Sequence, residues 1–96
     1  MITIKLKPTT GSFAENKDIA KNLRIKKINP ALKKGDDVEL DFYGIDSTTQ
    51  SFIHSLISQL IRHYGADVLE KIHFKNCNDT VQKIIEIVTD YMQFRE

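Results

Sequence analysis

Three short stretches of the chain alternate hydrophobic and polar residues, at positions 2–6, 38–43 and 71–75. Alternation with a two-residue period is typical of strands that bury one face and expose the other. In the third stretch, Ile72 and Phe74 are expected to point the same way. The pattern therefore predicts three β-strands spread over the length of the chain.

Between and after these strands, hydrophobic residues recur at the three- and four-residue spacing of amphipathic helices. The clearest helix has its apolar positions at Phe52, Ile53, Leu56, Ile57, Leu60, Ile61 and Tyr64. Ser47 and Gln50 form a capping-box pattern before it, and Gly65 is a suitable C-terminal stop. The last helix has caps available in residues 76–79 and a predicted buried stripe of Val81, Ile84, Ile85, Val88, Tyr91 and Met92.

The first helix is predicted to begin at Ser12, which forms an S-x-x-E capping box with Glu15 after a break at residues 8–11. Asn29 and Pro30 are expected to interrupt this helix, because the residue before a proline avoids the helical region. One further turn is expected before Gly35.

Strands and helices thus alternate in the order β-α-β-α-β-α, which predicts a small, mostly parallel sheet with helices packed on it. We find no repeat or linker and expect residues 1–96 to form a single α/β domain. Binding sites in such folds lie beyond the carboxyl ends of the strands. Here those ends lead into residues 7–13, 44–52 and 76–80, which are expected to converge.

The composition is that of a globular protein, with 41% hydrophobic and 28% charged residues. No apolar run approaches the length needed to cross a bilayer, and no signal segment opens the chain. The single cysteine, Cys77, cannot form an internal disulfide, which favours a reducing, cytoplasmic setting without membrane contact.

Charge is distributed unevenly along the chain. Residues 1–34 contain nine Lys or Arg and two Asp or Glu, whereas residues 35–96 contain five and eleven, so the halves carry +7 and −6. This split indicates an acidic partner, or simply a solvated helix face. A nucleic-acid-associated regulator that uses the basic N-terminal third is the alternative function, although no aromatic residues are interleaved among its lysines for base stacking.

Four hydroxyl residues are concentrated where the second strand leads into the clearest helix: Ser47, Thr48, Thr49 and Ser51. A helix N-terminus tolerates an anion, so a phosphate on one of these hydroxyls would be accommodated there. Each of them is therefore a candidate phosphorylation site. Taken alone, serine and threonine at a helix start are more often plain helix caps.

Nothing in the sequence forms a recognisable catalytic or metal-binding set. Asp41 lies near a strand end without a matching nucleophile, and it is interpreted as an acceptor for loop amides. His73 and Cys77 have no third or fourth ligand at usable spacing for zinc. The four glycines are isolated, so no phosphate-binding glycine loop exists. We therefore expect neither enzymatic activity nor a cofactor.

The run of residues 38–57 resembles the STAS-like domain of unknown function found in bacteria and phages. That family combines a strand ending in Leu-Asp-Phe, present here at residues 40–42, with a Ser-Phe pair that opens a helix, present here at residues 51–52. Residues 11–14 and 74–77 are also similar, so the resemblance covers nearly the whole chain.

STAS domains proper belong to sulfate transporters and anti-sigma-factor antagonists. In the antagonists, such a strand leads to an Asp-Ser-Ser-Gly-Leu turn whose second serine is phosphorylated by a partner kinase. That serine corresponds to Ser51, with Thr49 in place of the aspartate and Phe52 in place of the glycine. The resemblance implies a non-catalytic regulatory module that binds a histidine-kinase-like ATPase acting as a serine kinase.

The convergence of loops and the resemblance together predict a partner-binding surface. Its expected residues are Ser12, Phe13, Asp41, Gly44, Asp46, Gln50, Ser51, Phe52, Asn76 and Asn78. Self-association is left open, because the helix face formed by His54, Ser58 and Arg62 offers a surface on which two copies can pair.

Overall fold

The computed structural model describes the backbone of residues 1–94 and the side chains of residues 1–92. Its strands are β1 (Ile2–Lys5), β2 (Phe13–Ala14), β3 (Val38–Asp41), β4 (Ser47–Thr48) and β5 (Ile72–Lys75). Its α-helices are α1 (Lys7–Thr10), α2 (Lys17–Leu23), α3 (Asn29–Lys33), α4 (Gln50–Tyr64) and α5 (Asp79–Phe94). A π-helical turn, Arg24–Ile28, joins α2 to α3, and a 3₁₀ helix, Ala66–Lys71, precedes β5.

The three long strands form one parallel sheet in the order β1-β3-β5. Ile2 pairs with Val38, and Val38 pairs with Ile72. Residues paired in this way across the three strands point to the same face of the sheet. The predicted mixed α/β fold with parallel strands and helices packed on them is therefore confirmed.

The sheet buries one face and exposes the other. Ile4 and Leu40 are buried on the covered face, whereas Thr3 and Glu39, which precede them, and His73, which pairs with Glu39, point to the exposed face. The Thr3 hydroxyl donates to Glu39 Oε1 over 3.0 Å, and Lys75 Nζ lies 3.7 Å from Glu39 Oε2. Parallel sheets usually have both faces covered. In this chain the strict alternation of the strands produces two layers, because only one face is apolar enough to hold helices.

Helix α4 lies at the centre of the core. Its side chains Phe52, Ile53, Leu56 and Ile57 are all fully buried, as are Leu40 and Phe42 of the sheet side. Helices α2 and α5 pack on either side of α4. The helical spacing of apolar residues in α4 thus corresponds to a buried face, as predicted. Within residues 1–94, no helix combines the length and apolarity that a membrane crossing requires.

The predicted helix starts at Ser12 and Ser47 are wrong. Asn16 caps α2 by accepting from the N–H groups of Asp18 and Ile19, and Thr49 caps α4 by accepting from the N–H of Phe52. The reason is that residues 13–14 and 47–48 pair with each other as the parallel strands β2 and β4. Residues with extended backbone in such a ladder cannot also begin a helix.

The predicted interruption at Asn29-Pro30 is also wrong, because the chain stays helical through this segment. The N–H of Asn29 bonds to the carbonyl of Arg24, five residues earlier, in the wider π-helical turn. Pro30 then occupies the first turn of α3, where a helix does not need that N–H group. Similarly, Pro8 occupies the first turn of the one-turn helix α1 within the predicted break, and Gly11 ends that helix at φ 73°.

Candidate protein-binding surface

Two loops at the carboxyl edge of the sheet are joined by the short β2–β4 ladder. Phe13 pairs with Ser47 in this ladder, and Ala14 pairs with Thr48. Immediately before it, the N–H of Asp46 donates to the carbonyl of Ser12 over 2.7 Å. The loops that follow β1 and β3, which lie more than thirty residues apart in the sequence, are therefore held in direct contact.

Asn78 attaches the third loop to the other two. Its side-chain amide donates to the carbonyls of Asp46 over 2.9 Å and of Ile45 over 3.4 Å. Its Oδ1 accepts from the N–H of Val81 over 2.8 Å and so caps α5. One side chain thus connects the start of α5 to the β3–β4 loop. These contacts bring together the exposed residues Ser12, Phe13, Asp46 and Asn78. Gln50 and Ser51, also exposed, follow β4 in the first turn of α4, and we call these six residues the loop surface.

The four candidate hydroxyls occupy very different environments. Ser51 is exposed in the first turn of α4, whereas Ser47 is half-buried in β4. Thr48 is 5% exposed, and its hydroxyl donates to the carbonyl of Ala14 over 2.7 Å. The hydroxyl of Thr49 is the cap of α4. Thr48 is therefore corrected from a candidate phosphorylation site to a structural residue, because a kinase cannot reach a buried hydroxyl.

The two phenylalanines assigned to the partner-binding surface differ in the same way. Phe13 is 46% exposed at the β2–β4 ladder, whereas Phe52 is 0% exposed and packs in the core. Phe52 is corrected here from a contact residue to a core residue. It lies in the first turn of α4 with its side chain in the hydrophobic core, so it has no surface to offer to a partner.

Asp41 and Asn76 lie on the uncovered side of the sheet. Asp41 Oδ1 accepts from the Asn76 side-chain amide over 2.9 Å and from the Tyr43 N–H over 2.9 Å. These two hydrogen bonds, first that of Asn76 and then that of Tyr43, hold the pKa of Asp41 below its usual value. Asp41 therefore accepts from loop amides, as the sequence predicted, and Asn76 adopts a left-handed φ of 59° to reach it.

Gly44 follows Asp41 in a turn that only glycine adopts easily. Its φ is 83°, and a Cβ at this position would lie 2.6 Å from Cδ of Lys7. Lys7 and Asp41 also line an open groove of about 410 Å³ together with Lys5, Pro8 and Tyr43. Gly44 thus permits the close approach of Lys7 that shapes this side of the sheet edge.

A larger groove of about 470 Å³ lies between α2, α4 and α5, and Ser51 is part of its wall. The wall also includes Lys17, Ile87 and Tyr91, none of which was assigned to a site from the sequence, and His54, which was assigned to the self-association face. Tyr91 was predicted to be buried and is 54% exposed, so that prediction is wrong. Ile87 is 44% exposed, and its position outside the predicted buried stripe of α5, one turn before Tyr91, is the sequence signal that would have located this groove.

Cys77 is a half-buried thiol whose Sγ lies 3.9 Å from the carbonyl oxygen of Lys75. Burial raises the pKa of its thiol to about 11, so the thiol keeps its proton at neutral pH, and the thiolate is the reactive form. His73 is occupied as well, because its Nε2 lies 3.0 Å from Asp37 Oδ2. In the part of the chain that the structure describes, no three His, Cys, Asp or Glu side chains are grouped as a metal site requires.

These features define a class of protein, a small α/β domain that presents polar loops at the carboxyl edge of a one-sided parallel sheet. The model of one family, described as a STAS-like domain of unknown function, matches residues 20–82. The chain belongs to this family, which confirms the resemblance drawn from residues 38–57. The match includes β3, β4, α4 and β5, and therefore Ser51 and its surroundings. No curated protein and no solved structure matches the chain.

Proposed function

We propose that this STAS-like domain is a non-catalytic regulatory module that binds a partner protein through the loop surface. STAS-like domains are generally non-catalytic, and a regulatory binding role is consistent with the family. The observation that carries the proposal is the β2–β4 ladder with its Asn78 bridge, because it joins three loops into one rigid patch. A patch held by the backbone loses little conformational entropy when a partner binds.

The partner that we propose is a histidine-kinase-like ATPase that acts as a serine kinase.

Phe13 is the apolar anchor of the surface, since it is 46% exposed and lies on the rigid ladder. Exposed aromatic side chains in such positions often dominate the energy of protein interfaces. Ser12, Asp46 and Gln50 would surround Phe13 as a polar rim.

The proposed switch is phosphorylation of Ser51. Of the four hydroxyl candidates, Ser51 is the exposed one that has no capping or strand role in the fold. Its position in the first turn of α4 favours a negative charge by about 0.3–1 kcal/mol, so the modified domain would stay folded. A phosphate of about −1.5 to −2 charges would instead act on the interface, where it would weaken docking by like-charge repulsion and by desolvation.

The first experiment measures binding of a histidine-kinase-like ATPase from the same genome by isothermal titration calorimetry. We expect Phe13→Ala and Ser51→Asp each to weaken binding at least about tenfold, the equivalent of 1.4 kcal/mol. Gln59→Glu is the matched control, because it adds the same charge at an exposed position two turns along α4. Failure of the wild-type protein to bind would contradict the proposed partner.

The second experiment separates the switch from the binding. Incubation with the ATPase and ATP should add one phosphate to the wild-type protein and none to Ser51→Ala, as measured by intact-mass spectrometry. If both proteins are modified equally, Ser51 is not the target. If Ser51→Asp binds the ATPase as tightly as the wild type does, the switch is wrong while the binding role stands.

A further inference from the structure

The basic N-terminal third forms a continuous helical surface that the proposed partner surface does not use. Residues 17–34, which form α2, the π-helical turn and α3, contain seven Lys or Arg and one Asp, a net charge of +6. Four of the lysines are exposed along its second half: Lys26, Lys27, Lys33 and Lys34. We call residues 17–34 the basic segment.

The cations of the basic segment are not neutralised by the fold. The ion pairs among the described residues are His73 with Asp37 and Lys75 with Glu39, and both lie at the sheet. Arg24 donates to the carbonyl of Ser55, which carries no charge. A concentration of positive charge without internal partners raises the local potential and attracts a polyanion.

Tertiary packing places aromatic rings beside these cations. The C-terminal end of α4 lies against the basic segment and forms with it a groove of about 290 Å³. Arg24, Ile25 and Lys33 line one side of this groove, and Gln59, His63 and Tyr64 line the other. His63 is exposed, and its ring meets that of Tyr64 edge-on at 4.7 Å.

The Tyr64 ring is held in place by the basic segment itself. Its hydroxyl donates to Asn29 Oδ1 across this groove. Ile25 is 48% exposed and adds an apolar surface. The groove thus combines the fixed Tyr64 ring, the exposed His63 ring, an apolar side chain and cations that form no ion pair among the described residues, the set that single-stranded nucleic acid binds through its bases and its phosphates.

We propose that the basic segment and the end of α4 form a binding site for single-stranded nucleic acid. The lysines contact successive phosphates, and an unstacked base lies in the groove against His63 and Tyr64. An acidic protein or an anionic membrane would use the lysines, but neither presents planar bases that stack on rings at the end of α4. The groove at the end of α4 shares no lining residue with the loop surface, so the proposal stands whether or not the ATPase is the partner.

The test is fluorescence anisotropy of a labelled 15-nucleotide oligothymidylate with the full chain. With about four phosphate contacts, the logarithm of the association constant should fall with that of salt concentration at a slope near −3, which is about a 50-fold loss between 50 and 200 mM salt. No binding at 50 mM salt, or binding that salt does not weaken, would overturn the proposal.

Two variants distinguish the cations from the rings. Lys26→Gln with Lys27→Gln should lower the affinity and reduce the slope, while the control pair Lys71→Gln and Lys83→Gln, also exposed, should leave both unchanged. His63→Ala should weaken binding at least about fivefold, because one stacked base contributes about 1–3 kcal/mol. Equal effects of the two lysine pairs would overturn the location of the site.

Competition identifies the class of ligand. Polyglutamate and vesicles of phosphatidylserine should displace the oligonucleotide poorly, and duplex DNA of the same length should bind more weakly than the single strand. If polyglutamate or the vesicles compete as well as unlabelled oligothymidylate, or if His63→Ala has no effect, the surface recognises charge alone and the assignment is wrong. Circular dichroism of each variant verifies that it is folded.

Discussion

Replacing Phe52 by alanine tests the assignment of this residue to the core. Phe52 is 0% exposed at the start of α4. A buried aromatic side chain removes about 150–250 Å² from water, which at about 25 cal/mol per Å² amounts to about 4–6 kcal/mol. Alanine retains the Cβ, so we expect the free energy of unfolding to fall by about 3–5 kcal/mol.

Phe13→Ala is the matched control. Phe13 is 46% exposed, so it buries about half as much surface. Its loss should cost about 1–2 kcal/mol of stability while removing the proposed anchor for the partner. The same substitution at two phenylalanines, one in the core and one on the loop surface, should therefore separate stability from binding.

Urea unfolding followed by circular dichroism at 222 nm gives both free energies. Phe52→Ala should also lower the midpoint of thermal unfolding by at least about 12 °C, because 1 kcal/mol corresponds to about 4–8 °C in a domain of this size. Phe52→Leu is a milder variant that should cost less than about 1.5 kcal/mol. The assignment to the core would be refuted if Phe52→Ala were no more destabilising than Phe13→Ala.

Three further predictions concern the loops. Asn78→Ala should lower the free energy of unfolding in urea by about 1–3 kcal/mol, because it removes the cap of α5 and two hydrogen bonds to the β3–β4 loop. Asn78→Asp retains the cap acceptor and should cost less. A loss below about 0.5 kcal/mol for the alanine variant would contradict the bridge. The fold lowers the pKa of Asp41, so the ionised side chain stabilises the protein above pH ~4, and this stabilisation is lost as the pH falls through the folded pKa. The stability of Asp41→Asn should therefore vary less than that of the wild type between pH 5 and 2. An unchanged pH profile would contradict this prediction. Since the pKa of Cys77 is raised to about 11, iodoacetamide at pH 8 should react much more slowly with the folded protein than with the protein in urea, whereas equal rates would show an accessible thiolate.

Local patterns in the sequence were sufficient for the main elements. The two-residue alternation around Leu40 and the helical spacing around Leu56 each report which side of one element is buried, and the structure confirms both. The parallel sheet followed from the alternation of strands and helices, since a crossover helix returns the chain in the same direction.

Local patterns failed where a local signal competed with a distant hydrogen bond. Ser12 and Ser47 have good capping sequences, yet the residues beside them pair in the β2–β4 ladder across more than thirty positions. The caps moved to Asn16 and Thr49, where the chain leaves that ladder. A capping motif describes a few residues, and so it contains no information about a strand partner elsewhere in the chain.

The environment of each surface residue was likewise decided by packing between elements. Phe13 and Phe52 have the same side chain, and each lies near the start of a helix. The fold nevertheless exposes Phe13 and buries Phe52. No aromatic residue lies among the lysines of the basic segment in the sequence, whereas His63 and Tyr64 reach that segment from α4. Periodicity indicates which face of an element is buried, but contacts between elements distant in sequence depend on how the whole chain packs.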